Sequence, residues 1–161
     1  MNCDAIRTGK RGEYRVIGKL LEKGFTVYTP VIDIDGIDCI IRNDKKRLIE
    51  IQIKTRNKNN EEETFFKIKE FKPNWDFFIC CYLIDVKELW VIPSYKFHKL
   101  SSPDIEEKDK RILRMNSSNQ IALSKYKGNK GIELLKSGKL YERGFLQSGH
   151  KNAEKSKVLS N

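Results

Sequence analysis

Residues 49–55, IEIQIKT, alternate strictly between β-branched and polar side chains. A period of two predicts a strand over 47–55, with Ile49, Ile51, Ile53 and Thr55 on one face and Glu50, Gln52 and Lys54 on the other. Upstream, Tyr14, Ile17, Leu20 and Leu21 recur every three or four residues, which predicts a helix over 9–23 terminated by Gly24. The run FTVYTPV (25–31) reads as a short strand broken by Pro30. A second strand, GIDCIIR (36–42), leads through the turn NDKK (43–46) into the strand at 47–55. The polar run 57–63 is a loop, and 63–71 fits either a short helix or an edge segment. Residues 76–84 and 88–94 read as two more strands joined by a tight turn, with Ser94 capping a short helix that contains Tyr95 and Phe97. After residue 100 the pattern weakens to a polar connector, a strand at RILRM (111–115) and a short helix at KGIELLKSG (130–138). The stretch from Gly149 onward has too little apolar content to fold alone. The chain therefore divides into a core over 1–100, an extension of the same domain over 101–148 and a basic tail over 149–161.

A length of 161 residues suits one domain with a real core, and 39% apolar with 34% charged residues is a soluble globular composition. The apolar runs are far too short for a membrane span, and the N-terminus lacks the apolar stretch of a signal peptide. Cys3, Cys39, Cys80 and Cys81 show no zinc-ligand spacing and read as reduced thiols, which places the protein in the cytoplasm. The net charge of +10 attracts polyanions, but many lysine-rich proteins are merely soluble, so charge alone does not assign a function.

Three separate elements each offer polar groups where apolar side chains belong. Asp38 lies among Cys39, Ile40 and Ile41 on the second strand, and a carboxylate there needs a partner or a cation. Glu13 shares the inner stripe of the first helix with Ile17 and Leu20. The polar row Glu50, Gln52, Lys54 projects from a strand β-branched enough to be central, its members about 7 Å apart. Oxygens from Asp38, Glu13 and either Gln52 or Glu50 suit a hard divalent cation such as Mg²⁺. A lysine beside them can neutralise a phosphate.

The order helix-Glu, GID on a strand, hairpin turn, then IQIKT on the next strand resembles the PD-(D/E)xK nuclease superfamily. The likeness is to its Holliday-junction-resolvase-like and homing- or restriction-endonuclease-like branches. It covers residues 9–56, and FFICCYL and LWVIPS fit the two later strands of that core. The resemblance implies an α/β fold with a mixed central sheet flanked by helices in αβββαβ order. It also implies an endonuclease that hydrolyses DNA with Mg²⁺ or Mn²⁺. Residue by residue, Asp38 matches the metal-binding aspartate, Lys54 the motif lysine and Glu13 the helix glutamate. Gln52 departs from the pattern, standing at the (D/E) position with an oxygen ligand but no charge. Such cores commonly act as homodimers, because cutting both strands of a duplex takes two sites related by a two-fold axis.

Each residue also has a plainer reading. Lys54 can snorkel from a sheet face, Glu50 with Lys54 can belong to a solvated strand face, Asp38 can cap a turn made by Gly36, and Glu13 can join a surface capping or i,i+4 network. Four such accidents in this order weigh less than one site. Lys10, Arg11, Arg56 and Lys58 flank the site in sequence and are the candidate phosphate contacts. Phe77, Phe78, Tyr82 and Trp90 read as core, Trp75 as a surface contact, and His98 and His150 have no catalytic spacing. Two other classes remain, a non-catalytic nucleic-acid-binding module on the same fold and a protein whose charge serves an acidic protein partner.

Overall fold

The computed structural model describes residues 3–32, 36–58 and 63–138. The elements in chain order are α1 (Cys3–Glu22), β1 (Thr26–Tyr28), β2 (Cys39–Arg42), β3 (Leu48–Arg56), β4 (Phe65–Lys69), β5 (Phe77–Leu83) and β6 (Glu88–Pro93). They are followed by α2 (Ser94–Leu100), β7 (Ser102–Pro103), β8 (Lys110–Arg114), α3 (Ser117–Ala122), a 3-10 turn (Ser124–Tyr126) and α4 (Gly128–Ser137). Strands β1-β2-β3-β5-β6 form a mixed sheet, and β4-β8-β7 form a small antiparallel one. Within the large sheet only β3 and β5 run parallel, with Gln52 opposite Ile79 and Lys54 opposite Cys81. This is the mixed α/β architecture expected from the sequence.

α1 begins six residues before the expected start, with Asp4 in its first turn, where a carboxylate meets the positive end of the helix dipole. Gly9 and Gly12 interrupt the apolar period without interrupting the helix. The buried line is Gly12, Val16, Leu20; Tyr14 and Leu21, expected inside, are 70% and 54% exposed. Gly24 ends the helix at φ 81°, and the Phe25 N–H returns to the Leu20 carbonyl at 3.2 Å. In the β2–β3 turn the Asn43 side-chain oxygen accepts from the Lys45 and Arg47 amides at 3.0 Å each, so that side chain holds the hairpin register.

Parallel neighbours such as β3 and β5 require a crossover. The αβββαβ order puts a helix there; in this chain β4 occupies that connection, so the edge-segment reading of 63–71 is the one adopted. Phe66 and Ile68 on its inner face are buried, which shows the period of two. β8 joins it at 110–114, near the strand expected at RILRM. Ser94 does not cap α2: Pro93 holds the cap position, and the Ser94 hydroxyl instead donates to the Asn74 carbonyl at 2.6 Å and accepts the Asn74 N–H at 3.0 Å. α4 ends at Gly138, φ 64°.

The two faces of the large sheet have separate cores. Val16, Leu20, Ile49, Ile51, Ile53, Phe78 and Cys80 pack under α1 and α4. Phe77, Ile79, Cys81, Trp90 and Ile92 pack under the small sheet and α2. Phe77, Phe78, Tyr82 and Trp90 are core, as expected, whereas Trp75 is 40% exposed with its ring 4.5 Å from that of Tyr95. Cys39, Cys80 and Cys81 are buried free thiols, Cys3 is exposed and free, and burial pushes the Cys39 thiol up to about 12. Among the described residues no helix is long and apolar enough to cross a membrane. His150 and the tail from 149 lie outside the described residues.

Candidate active site

β3 carries the polar row into the interior because it is flanked on both sides, by β2 and β5. Ile49, Ile51 and Ile53 are buried on the α1 face. Gln52, on the other face, is only 6% exposed. Gly36 lies directly over it: at φ 71°, a Cβ on Gly36 would stand 2.5 Å from the Gln52 Nε2 atom. Glycine at 36 thus gives the GID turn its left-handed backbone and leaves the Gln52 amide in its present position. Lys54 is half-buried, two residues further along the same face.

Asp38 is not within β2, as the sequence suggested, but immediately before it. Regular pairing ends at Cys39 opposite Ile51. The Asp38 N–H still donates to the Ile51 carbonyl at 2.9 Å, and its Oδ2 accepts the Ile53 N–H at 2.6 Å. The carboxylate thus replaces a backbone acceptor at the point where β2 leaves β3. It is fixed between the Gln52 and Lys54 positions. Burial raises its pKa above the ordinary 3.8, and the Ile53 N–H opposes that shift. The Glu13 charge raises it further, while Lys54 and Lys10 lower it.

Those couplings show which side chains share the field of Asp38. Glu13 borders the buried line of α1, its side chain 20% exposed, and accepts a hydrogen bond from Lys10 Nζ at 2.6 Å. That bond is the main reason the Lys10 pKa is raised. α1 approaches so closely because of Gly12, where any Cβ would fall inside the Thr55 side chain. The charges of Glu13, Lys54 and Lys10 are thus all felt at Asp38, whose carboxylate is bonded to the backbone between Gln52 and Lys54. Glu50 shares the Gln52 face and sends its N–H to the Asp76 carbonyl at 2.7 Å.

The flanking basic residues are distributed differently. The Arg56 guanidinium lies 3.9 Å from the centre of the Phe65 ring, and partial burial lowers its pKa. Lys58 is tied by its N–H to Asp85 at 2.9 Å, beside the β5–β6 turn. Arg11 is exposed on α1. The sequence reading missed Gly12 and Phe65 and took Gly36 only as a turn former. A glycine in line with Val16 and Leu20, and one opening the GID turn, were the available signals; nothing in the sequence pairs Phe65 with Arg56.

Among the described residues no three His, Cys, Asp or Glu side chains group as a metal cage. The donors here are two carboxylates and an amide, all oxygen ligands of the kind a hard cation takes. Burial is the main cause of the raised Asp38 pKa and the Glu13 charge adds to it; a cation bound there would favour the ionised carboxylate. The residues therefore fit such an ion.

The model of the PD-(D/E)XK endonuclease family matches residues 3–123. The chain belongs to that family. It is an endonuclease on a restriction-endonuclease-like fold, in a family whose members typically depend on a metal. Among solved structures, the bacterial homing endonuclease I-Ssp6803I is similar with a TM-score of 0.59 and 13% sequence identity, over 89% of this chain and 100% of that one. At that identity the likeness concerns the fold. No curated protein matches the chain by sequence.

Proposed function

We propose that this PD-(D/E)XK endonuclease hydrolyses DNA phosphodiester bonds with Mg²⁺ or Mn²⁺, and that Glu13, Asp38, Gln52 and Lys54 form its active site. The observation that carries the assignment is the Asp38 carboxylate, held at 2.6 Å by the Ile53 N–H between Gln52 and Lys54, with Glu13 in its field. Asp38, Glu13 and the Gln52 amide oxygen would hold the cation, which when bound lowers the pKa of a ligated water and polarises the phosphate. The Ile53 amide keeps Asp38 aimed without the entropy of a free side chain. Lys54, whose ammonium feels the same field, stabilises charge developing on the phosphoryl oxygens. Arg56, its plane set against Phe65, offers its N–H edges to a neighbouring phosphate. Lys10 is engaged with Glu13; Arg11 and Lys58 add to the positive field around the site. The working unit is a homodimer, one site for each strand of a duplex.

Lys54→Ala tests the assignment. The wild type is expected to cleave plasmid DNA with Mg²⁺ or Mn²⁺ and to stop with EDTA. The variant should fall by about 100-fold or more, with its circular dichroism and melting temperature nearly unchanged, since a half-exposed lysine contributes little to stability. Equal cleavage by both proteins would remove Lys54 from the site. Salt-sensitive retention of DNA without cleavage in either metal would make the protein a binding module on a nuclease fold.

A further inference from the structure

The face of the large sheet that carries Gln52 and Lys54 is covered over only half its width. The small sheet and α2 lie on β5 and β6, burying Ile79, Cys81 and Ile92. Over β1, β2 and the start of β3 the face is open among the described residues. Tyr28 on β1 is 46% exposed there and Leu48 on β3 58% exposed. Tyr28 is opposite Ile40, Ile40 opposite Glu50, and Arg42 opposite Leu48, so all of them share the Gln52 face. Tyr28, Ile40, Arg42, Lys46 and Leu48 enclose a groove of about 380 Å³. Neither Arg42 nor Lys46 has an acidic partner among the described residues.

We infer that this groove is a second contact surface for the nucleic-acid substrate, holding the stretch that flanks the scissile phosphate. The inference rests on the endonuclease reading above. From Leu48 to Lys54 is six strand steps, roughly 20 Å. Along a duplex that distance is about six base pairs. A substrate seated at Lys54 therefore extends over Leu48 and brings phosphates within reach of Arg42 and Lys46. Tyr28, Ile40 and Leu48 supply an apolar floor for sugar and base edges between the phosphate contacts. A second copy of the chain fits this groove less well. An isologous interface with its two-fold axis through the groove would set the Arg42 and Lys46 of one copy against the same two cations of the other.

The test is the double variant Arg42→Gln, Lys46→Asn, which removes both charges. Asparagine is chosen because Lys46 has φ 61°, a conformation that asparagine tolerates. Filter binding of a 30-base-pair duplex, without metal and across a salt series, reads the groove independently of cleavage. The expected result is weaker binding, with the slope of log Kd against log salt reduced by about 1.8 for two lost phosphate contacts. The KM for cleavage should rise while the rate at saturating DNA stays within about twofold. Shortening the duplex on one side of the cut should weaken the wild type and leave the double variant unchanged. An unchanged slope and affinity would overturn the inference. So would a wild-type dimer that the double variant converts to monomers with DNA affinity intact. If the wild type cleaves no DNA with any metal the endonuclease reading fails, while the salt slope still decides the groove.

Discussion

Gln52 is the residue on which the chemistry of the proposed site turns. It would supply an oxygen but no charge where the family pattern has an acid, and Gly36 leaves room for its amide. Gln52→Glu is expected to tighten Mg²⁺ binding by roughly tenfold in calorimetric titration, as an added anionic ligand does for a hard cation. Unchanged binding would show that position 52 is not a ligand. Asp38 makes a separate prediction about pH. Its pKa is raised, chiefly by burial, so the protonated form suits the fold better than the ionised one. The stability it contributes is full below the unfolded value of 3.8 and is lost as pH rises through the raised folded value. Metal-free Asp38→Asn, which can still accept the Ile53 N–H, should therefore melt above the wild type at neutral pH, and the gap should close in acid. Carbon-detected NMR of Asp38 gives the pair of controls: Glu13→Gln lowers its titration midpoint and Lys54→Ala raises it.

At the scale of elements, the site depends on how close α1 can lie to β3. Gly12 sets that distance, because a side chain there would overlap Thr55. Gly12→Ala gains about 1 kcal/mol of helix propensity, yet it is expected to cost about 1–3 kcal/mol net by overpacking. Cleavage should fall as well, since lifting α1 carries Glu13 away from Asp38. A melting temperature that rises with activity intact would show that α1 can shift freely. The helix was legible in its period, but its buried line was not, because glycine carries no hydrophobic signal and Tyr14 carries a misleading one. β4 was ambiguous for a related reason: Phe66 and Ile68 are its only buried positions, too few to separate a period of two from one of 3.6.

At the scale of the whole molecule, a net charge of +10 draws the chain to DNA without choosing the bond to cut. If two copies act together, supercoiled plasmid should become linear with little accumulation of nicked circle, and the rate should rise more steeply than linearly with protein concentration. Nicked circle accumulating first at every concentration would indicate a monomer acting on one strand at a time. The sequence by itself determined the central strand, its two faces and the order Glu13, Asp38, Gln52, Lys54, because alternation and residue type are local properties of a chain. It also carried the core aromatics and the Gly24 stop. The tertiary structure alone decided that Asp38 sits outside β2 and bonds to the Ile53 amide, since where a strand leaves its partner depends on the neighbouring strand. It likewise decided that β4 leaves the large sheet and that part of one face stays open among the described residues. Those outcomes depend on which distant surfaces bury each other best, and residues that meet in space need share no pattern along the chain.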